Sequence, residues 1–492
     1  MSKRSYLAIA LVFLFFILLA AEVIPDDFNG EWWDAKWHYR VKLEINSSTY
    51  ERVDWPIEYE INFTALLAQS GVSGTFDINS TRVFEYDSSG NLLYEVPSQF
   101  DIAEDYDAST NAHGTLVFLM NGTTSAGQVR YYYVYFDIIE NGEKNASSYD
   151  TDLNYSWDGE EINVSNFKIT WYIDTLRGEN TSGIYRVIGE SGEMFITPDE
   201  ENRTLEYVHY TNGTYNFSFD LRNNASFFFG PVRLIIIQKG NETFWNDPEN
   251  KTNMSTIMKK YVFYSKNTWI KIIQNITATS PINRSSTPSG ALAFDVGRGW
   301  TSYVSEGNPT DPGSWYWAGA TAGGIGHVGI INLNESVPNF YANESLDLGR
   351  IGIEMNETIF SSISQTAVLH FNDTEAVSNQ VSELRDRLLD PEKITIHPIE
   401  TWVVIGAGTT EYMIYNRNET VEIKLNVTDD LYNLTKNANA TFDMGTGEED
   451  DETIILNEVG YQNGYHIFNG SYNLSNNATE GIWNITFKMY DS

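Results

Sequence analysis

The chain has 492 residues, no cysteine and a net charge of −36. That charge excludes nucleic acid as a partner, because phosphates would be repelled, and the lack of cysteine excludes a disulfide framework. Hydrophobic residues make up 41% and aromatics 14%, enough for packed cores, and the length predicts two or three domains.

In chain order, the first element is a targeting segment over residues 1–24. Lys3 and Arg4 precede an unbroken apolar run from Leu7 to Ala21, and the small residues Ala20 and Ala21 suit a signal peptidase. The segment reads as a signal peptide or as a retained N-terminal anchor. Either way the body is expected outside the cell, and any membrane contact is confined to this segment.

Short alternating or apolar runs follow, separated by Asn, Gly, Asp and Pro. YRVKLEI (39–45), TLVFLM (115–120) and VRYYYVYFDII (129–139) belong to an N-terminal β domain over 28–145. The polar stretch 141–159 is expected to be a linker. VRLIIIQ (232–238), KYVFYS (260–265) and WIKIIQNI (269–276) fall in a large central β domain over 160–390. Such spacing predicts an all-β, multidomain chain of sandwich or barrel type. One helix is predicted near 374–390, where Val377, Val381, Leu384 and Leu388 share a face and Pro391 ends it. TWVVIG, VEIKLNV and IWNITFKMY then predict an immunoglobulin-like C-terminal sandwich over 393–492.

N-x-S/T sequons recur along the whole chain. There are 29, against about 7 expected by chance from the Asn, Ser and Thr content. They include Asn46, Asn62, Asn121, Asn212, Asn216, Asn275, Asn343, Asn426 and Asn484. A fourfold excess predicts N-glycosylation, and in a cysteine-free chain it points to an archaeal cell-surface glycoprotein. Each such asparagine must then lie on the outside.

WWDAKWHYRVKLEI (32–45), DWPIEYEI (54–61), TRVFEYDSSGNLLYEVPSQFD (81–101) and GTLVFLMNGTTSAGQVRYYYVYFD (114–137) together resemble the β-barrel domain that opens many exported polysaccharide-active proteins. FFGPVRLIIIQKG (228–240) and KKYVFYSKNTWIKIIQNI (259–276) are similar to the supersandwich domain of polysaccharide lyases, notably exo-rhamnogalacturonan lyase-like proteins. The resemblance covers about two thirds of the chain at the level of strand patterns. It implies a polysaccharide or cell-surface glycan as partner, and no catalytic signature carries over.

The chemistry concentrates in the central domain. SWYWAGATAGGIGHVGIIN (314–332) contains G-x-G-x-x-G at Gly324, Gly326 and Gly329. A dinucleotide loop needs a helix opening after it, and IINLNES reads as strand, so glycines between strands are the expectation. Trp300, Tyr303, Trp315 and Trp317 form either core or a sugar platform, with Arg298 among the polar groups beside them. Glu306 and Asp311 are the candidate carboxylate pair of a glycosidase. His327 is the candidate base of a lyase, with Tyr303, Arg298 and Arg350 around it. The tryptophans at 32, 33 and 37 are expected to pack a domain. No zinc pattern exists, no cofactor is expected, and the acidic run GTGEEDDE (445–452) offers Ca²⁺ only a weak site, since it lacks calcium-loop spacing. Three functions therefore compete: glycan binding, polysaccharide cleavage by a lyase or hydrolase, and a structural envelope role.

Overall fold

The computed structural model describes residues 32–34, 36–159, 161–174, 183–189, 192–195, 206–207, 210–211, 215–221, 224–244, 247–282, 292–295, 302–306, 317–322, 326–333, 340–343, 350–353, 360–372, 377–401, 420–428, 437–443, 452–462, 465–473 and 484–490. Antiparallel sheets dominate, with two α-helices among these residues. The all-β expectation is met.

The N-terminal unit contains β1 (Tyr39–Asn46), β2 (Arg52–Asn62), α1 (Phe63–Gln69), β3 (Arg82–Tyr86), β4 (Leu92–Val96), β5 (Ser98–Ile102), β6 (His113–Thr124) and β7 (Val129–Phe136). β1, β7, β3 and β4 lie side by side in one sheet, and β2, β6 and β5 form a second. Both sheets are open, so of the sandwich and barrel forms anticipated the unit takes the first. Val41, Leu43 and Ile45 alternate along β1 and are fully buried between the sheets with Ile57, Leu116 and Phe118. Each such side chain contributes about 1.5–3 kcal/mol.

The other face of β1 departs from its sequence pattern. Arg40 and Lys42 occupy alternate positions that normally meet solvent, yet both are buried. Trp32, which precedes β1, covers Arg40, and Lys42 pairs with Glu44. Trp32, Trp33 and Trp37 pack with Phe84, Tyr133 and Tyr135, and the Arg40 guanidinium lies 3.9 Å from the Tyr133 ring centre. This tryptophan cluster is domain packing, as anticipated.

In the central unit, strands Asn154–Trp157, Glu161–Ser165, Ile169–Asp174, Gly183–Gly189 and Gly192–Phe195 form a meander. It stacks on a ten-stranded sheet whose middle is Arg233–Phe244, Asp247–Tyr264, Trp269–Ile282, Phe360–Asn372 and Gly326–Asn332. Trp171, Ile173, Ile236, Tyr261, Ile272 and Leu369 are fully buried between these sheets.

α2 (Val377–Leu389) confirms the predicted helix and lies on the outer face of the ten-stranded sheet. Val381 and Leu384 are buried in the same core as β1 and β2. The strand Lys393–Thr401 corrects the expected C-terminal boundary. It pairs antiparallel with β1, Tyr39 opposite Thr401, and becomes the edge of the N-terminal sheet. A further unit comprises Thr420–Thr428, Asn437–Asp443, Glu452–Gln462, Tyr465–Asn473 and Asn484–Tyr490 around Leu425, Ala440, Phe442 and Phe468.

Candidate functional site

The long strand β2 carries a bulge between Val53 and Trp55, opposite Thr123 and Met120 of β6. Asp54 sits in the bulge with φ of 45°. Left-handed backbone is costly for a residue with a Cβ and persists only where neighbours hold it. Here the Asp54 carboxylate accepts from the Gly122 amide at 2.8 Å, and the Asn267 side chain donates to the Asp54 carbonyl at 3.1 Å. Asn267 belongs to a tight turn between the strands ending at Tyr264 and starting at Trp269. Its neighbour Lys266 is also left-handed, with φ of 61°. Asp152 fixes that turn by accepting from Ser265 Oγ at 2.6 Å and the Lys266 amide at 3.0 Å.

The bulge and the turn bring two tryptophans together. Trp55 and Trp269 have ring centres 5.6 Å apart. Trp55 is further held by the Arg52 guanidinium 4.6 Å from its ring and by a 3.0 Å bond from Nε1 to Glu392. α2 supplies the opposite wall. Its Gln380, Glu383, Leu384 and Arg387 follow i, i+3, i+4, i+7 spacing, so they form one stripe. The helix C-terminus is clamped to the N-terminal unit. Arg52 donates to the carbonyls of Arg387 and Asp390, where a cation meets the negative end of the helix dipole. Ser48 Oγ donates to the Pro391 carbonyl at 2.9 Å.

Between these walls lies a cavity of about 370 Å³, lined by Val53, Trp55, Asn267, Trp269, His370, Gln380, Glu383, Leu384 and Arg387. That is within the range of small-molecule sites, and apolar rings with a few convergent polar groups are their usual lining. Glu383 and Arg387 form an ion pair at 3.6 Å, so the formal charges of the wall cancel. His370 forms the floor, opposite Trp269 on the neighbouring strand.

His327, the candidate lyase base, is fully buried behind that floor. Its Nε2 lies 3.0 Å from His370 Nδ1, with the rings stacked 24° apart. One ring donates and the other accepts. Burial, then the charges of His327 and Arg387, push the His370 pKa down from 6.5 to about 3. His370 is thus uncharged at neutral pH, and the buried His327 stands behind it. The glycine motif also has a structural cause. Gly326 and Gly329 lie within a strand, and a Cβ on Gly329 would stand 2.4 Å from Val381 of α2. Gly329 lets the helix approach the sheet.

Of the other candidates, Tyr303 and Glu306 lie in the strand Ser302–Glu306, and Glu306 is the cross-strand partner of Trp317. Arg350 is likewise paired across strands, with Asp295. Arg298, Trp300, Asp311 and Trp315 lie outside the described residues, as do 445–451 of the acidic run. Among the described residues no group of three His, Asp or Glu has the geometry of a metal site.

The sequons follow a consistent rule. Asn46, Asn62, Asn121 and Asn275 are half-buried, and every sequon asparagine whose exposure is described is half-buried or exposed. Among the described residues the buried asparagines, Asn166, Asn267 and Asn332, all stand outside sequons. Asn216, Asn343, Asn426 and Asn484 lie in strands, and Asn212 lies outside the described residues.

No protein-family model matches the chain, and no curated protein does. Among solved structures, an alpha-mannosidase from Enterococcus faecalis is similar at TM-score 0.43 and 11% identity, over 74% of this chain and 46% of that one. A glycosyl hydrolase family 38 protein from the same organism matches at TM-score 0.45 and 11% identity, over 79% of this chain and 53% of that one. The chain thus spans about half the length of each. Neither match assigns it an activity.

The sequence pointed to His327 but missed Trp55, Trp269, His370 and the α2 stripe. The stripe was legible as the polar side of an amphipathic helix. The tryptophans were not, because each reads locally as an ordinary strand residue.

Proposed function

We infer that this is an exported, N-glycosylated surface protein that binds a neutral glycan, without cleaving it, in the cavity beneath α2. The observation that carries this reading is the lining itself. Trp55 and Trp269, otherwise buried in the core, line the cavity with the edges of their rings as apolar surface for a pyranose, while Gln380, Glu383 and Arg387 offer donors and acceptors to its hydroxyls. Neutrality of the ligand follows from charge. The Glu383–Arg387 pair cancels locally, His370 is uncharged, and a net charge of −36 repels polyanions.

A hydrolase is less well supported. Cleavage needs two carboxylates flanking the bond, and Glu383 is the single carboxylate in the lining. Glu392 is engaged by Trp55 and lies 3.8 Å from Arg52. The placement of sequon asparagines away from the interior supports glycosylation.

A glycan array probed with the intact exported protein tests the reading, alongside assays for new reducing ends and unsaturated products. Binding to neutral glycans that Trp269→Ala abolishes, with no product formed, is the expected result. Turnover of any polysaccharide would replace binding with catalysis. Absence of both binding and turnover would leave a structural envelope role. Glycopeptide mass spectrometry of native protein is expected to find sugar on exposed sequons such as Asn145, and bare asparagines throughout would remove the glycoprotein claim.

A further inference from the structure

A sequon is bonded to the bulge and turn that carry the cavity's tryptophans. Asn121, in Asn-Gly-Thr, accepts through Oδ1 from Lys266 Nζ at 3.1 Å, and the same ammonium lies 3.4 Å from Asp54. Asp54 is flanked by the lining residues Val53 and Trp55, and Lys266 is followed by the lining residue Asn267. Gly122 is tied to the Asp54 carboxylate as well. One lysine and one aspartate thus anchor the sequon to the bulge and turn that build the tryptophan wall. On the far wall Asn372 also lies in a sequon, but its Nδ2 is spent on Gln380 Oε1 at 2.7 Å. Asn121 differs. Its Oδ1 is held, and no described residue accepts from its Nδ2, the atom that carries a glycan. Asn121 is half-buried, and Thr123, which completes its sequon, is exposed.

We propose that a glycan on Asn121 folds into the cavity and occupies it as a tethered ligand, in competition with glycans from outside. This rests on the glycan-binding reading of the same cavity and names its resident occupant. In the attachment step Nδ2 loses one proton to solvent and bonds to the anomeric carbon of a phosphate-activated oligosaccharide. The bond from that carbon to phosphate oxygen breaks, and the phosphate leaves with the electron pair. The attached sugar then sits beside its site at an effective concentration of order 1 mM. A cavity with Kd of about 0.1 mM would be filled roughly nine-tenths of the time, raising the apparent Kd for an external glycan about tenfold.

The probe is the oligosaccharide released from the protein's own asparagines, titrated into the full exported chain made in its own cells. Asn121→Gln and Thr123→Val each remove the sequon at a different residue; neither is itself a lining residue, and Asn121→Gln leaves untouched Thr123, the cross-strand partner of the lining residue Val53. The expected result is an occupied Asn121 in the wild type and about tenfold tighter binding of the probe by both variants. Adding Trp269→Ala to Asn121→Gln is expected to abolish that binding. A bare Asn121 beside an occupied Asn145 overturns the tethered ligand, and probe binding by that wild type would leave the cavity reading standing. An occupied Asn121 with unchanged affinity in both variants also overturns it. If no form binds the probe or any arrayed neutral glycan, the cavity reading falls and takes the tethered ligand with it.

Discussion

Two polar regions join the N-terminal and central units, and they are built in opposite ways. At the first, Arg233 donates to Asp101 at 2.6 Å and pairs with Glu58, which also takes Lys271 at 3.2 Å and the Tyr264 hydroxyl at 2.7 Å. Gln99 accepts from the amides of Val232 and Arg233, closing the gap between units. Burial raises the Glu58 pKa, but the charges of Lys271 and Arg233 and the Tyr264 bond outweigh it and hold it at about 2. At the second, beneath α2, Glu383 and Arg387 stand in partial contact with water and face an open cavity. Saturated pairing marks a joint, and polar groups with capacity to spare mark a place for a ligand.

The sharpest way to break this contrast is to remove a partner from the joint. Arg233→Met takes a buried cation away from the half-buried Glu58 and Asp101 and leaves Glu58 with the Lys271 cation alone. A cost of about 2–3 kcal/mol is expected, read as a lower denaturation midpoint. A loss under 1 kcal/mol would mean the joint is wet and the contrast false.

Acid separates the two regions by order of failure. His370 has a folded pKa of about 3 against 6.5 unfolded, so below 6.5 the unfolded chain binds a proton that the folded chain refuses. Its contribution to stability is complete above 6.5 and declines as pH falls toward 3. Glu58 is depressed, so its contribution is present above its ordinary 4.5 and fades only as pH drops toward about 2. Between pH 6.5 and 4.5 the histidine is expected to cost about 2 kcal/mol while the joint holds. His370→Gln is expected to flatten that window in a denaturation series against pH. An unchanged slope in the variant would place the acid sensitivity elsewhere.

Gly329→Val tests what holds the cavity's shape. A Cβ 2.4 Å from Val381 forces α2 away from the sheet, at about 1–2 kcal/mol for overpacking. The sequence made this glycine conspicuous for another reason, since its motif has the form of a nucleotide loop. Only the register, with Gly329 beside His370 and beneath α2, reveals a packing glycine. The same limit governs the whole reading. Local periodicity was enough to define β1, β7 and α2, because each buries one face at a fixed repeat. Pairing across the chain was not legible: Thr401 meets Tyr39 on the first sheet although nothing in either stretch encodes the other. The cavity is the extreme case. Val53, Asn267, His370 and Arg387 come from four distant segments, and each looks unremarkable beside its sequence neighbours.

The smallest expected effect falls on the cavity wall, and its smallness carries information. Glu383→Gln removes one half of an ion pair between partly exposed groups 3.6 Å apart. Pairs of that kind contribute under about 0.5 kcal/mol, so stability is expected to hold within that margin. Binding is expected to respond more than folding does. The amide keeps the size and one acceptor of the carboxylate but frees Arg387 to stand as an uncompensated cation facing the ligand. Affinity for a neutral glycan should then fall a fewfold, while tolerance of an acidic sugar should rise. Titrating a neutral glycan and its uronic-acid counterpart against wild type and variant measures both shifts. If both affinities move together, Glu383 acts through shape alone and the charge-cancelled wall has no part in choosing the ligand. If they move apart, the pair beneath α2 sets the preference for neutral sugar, at almost no cost to the fold.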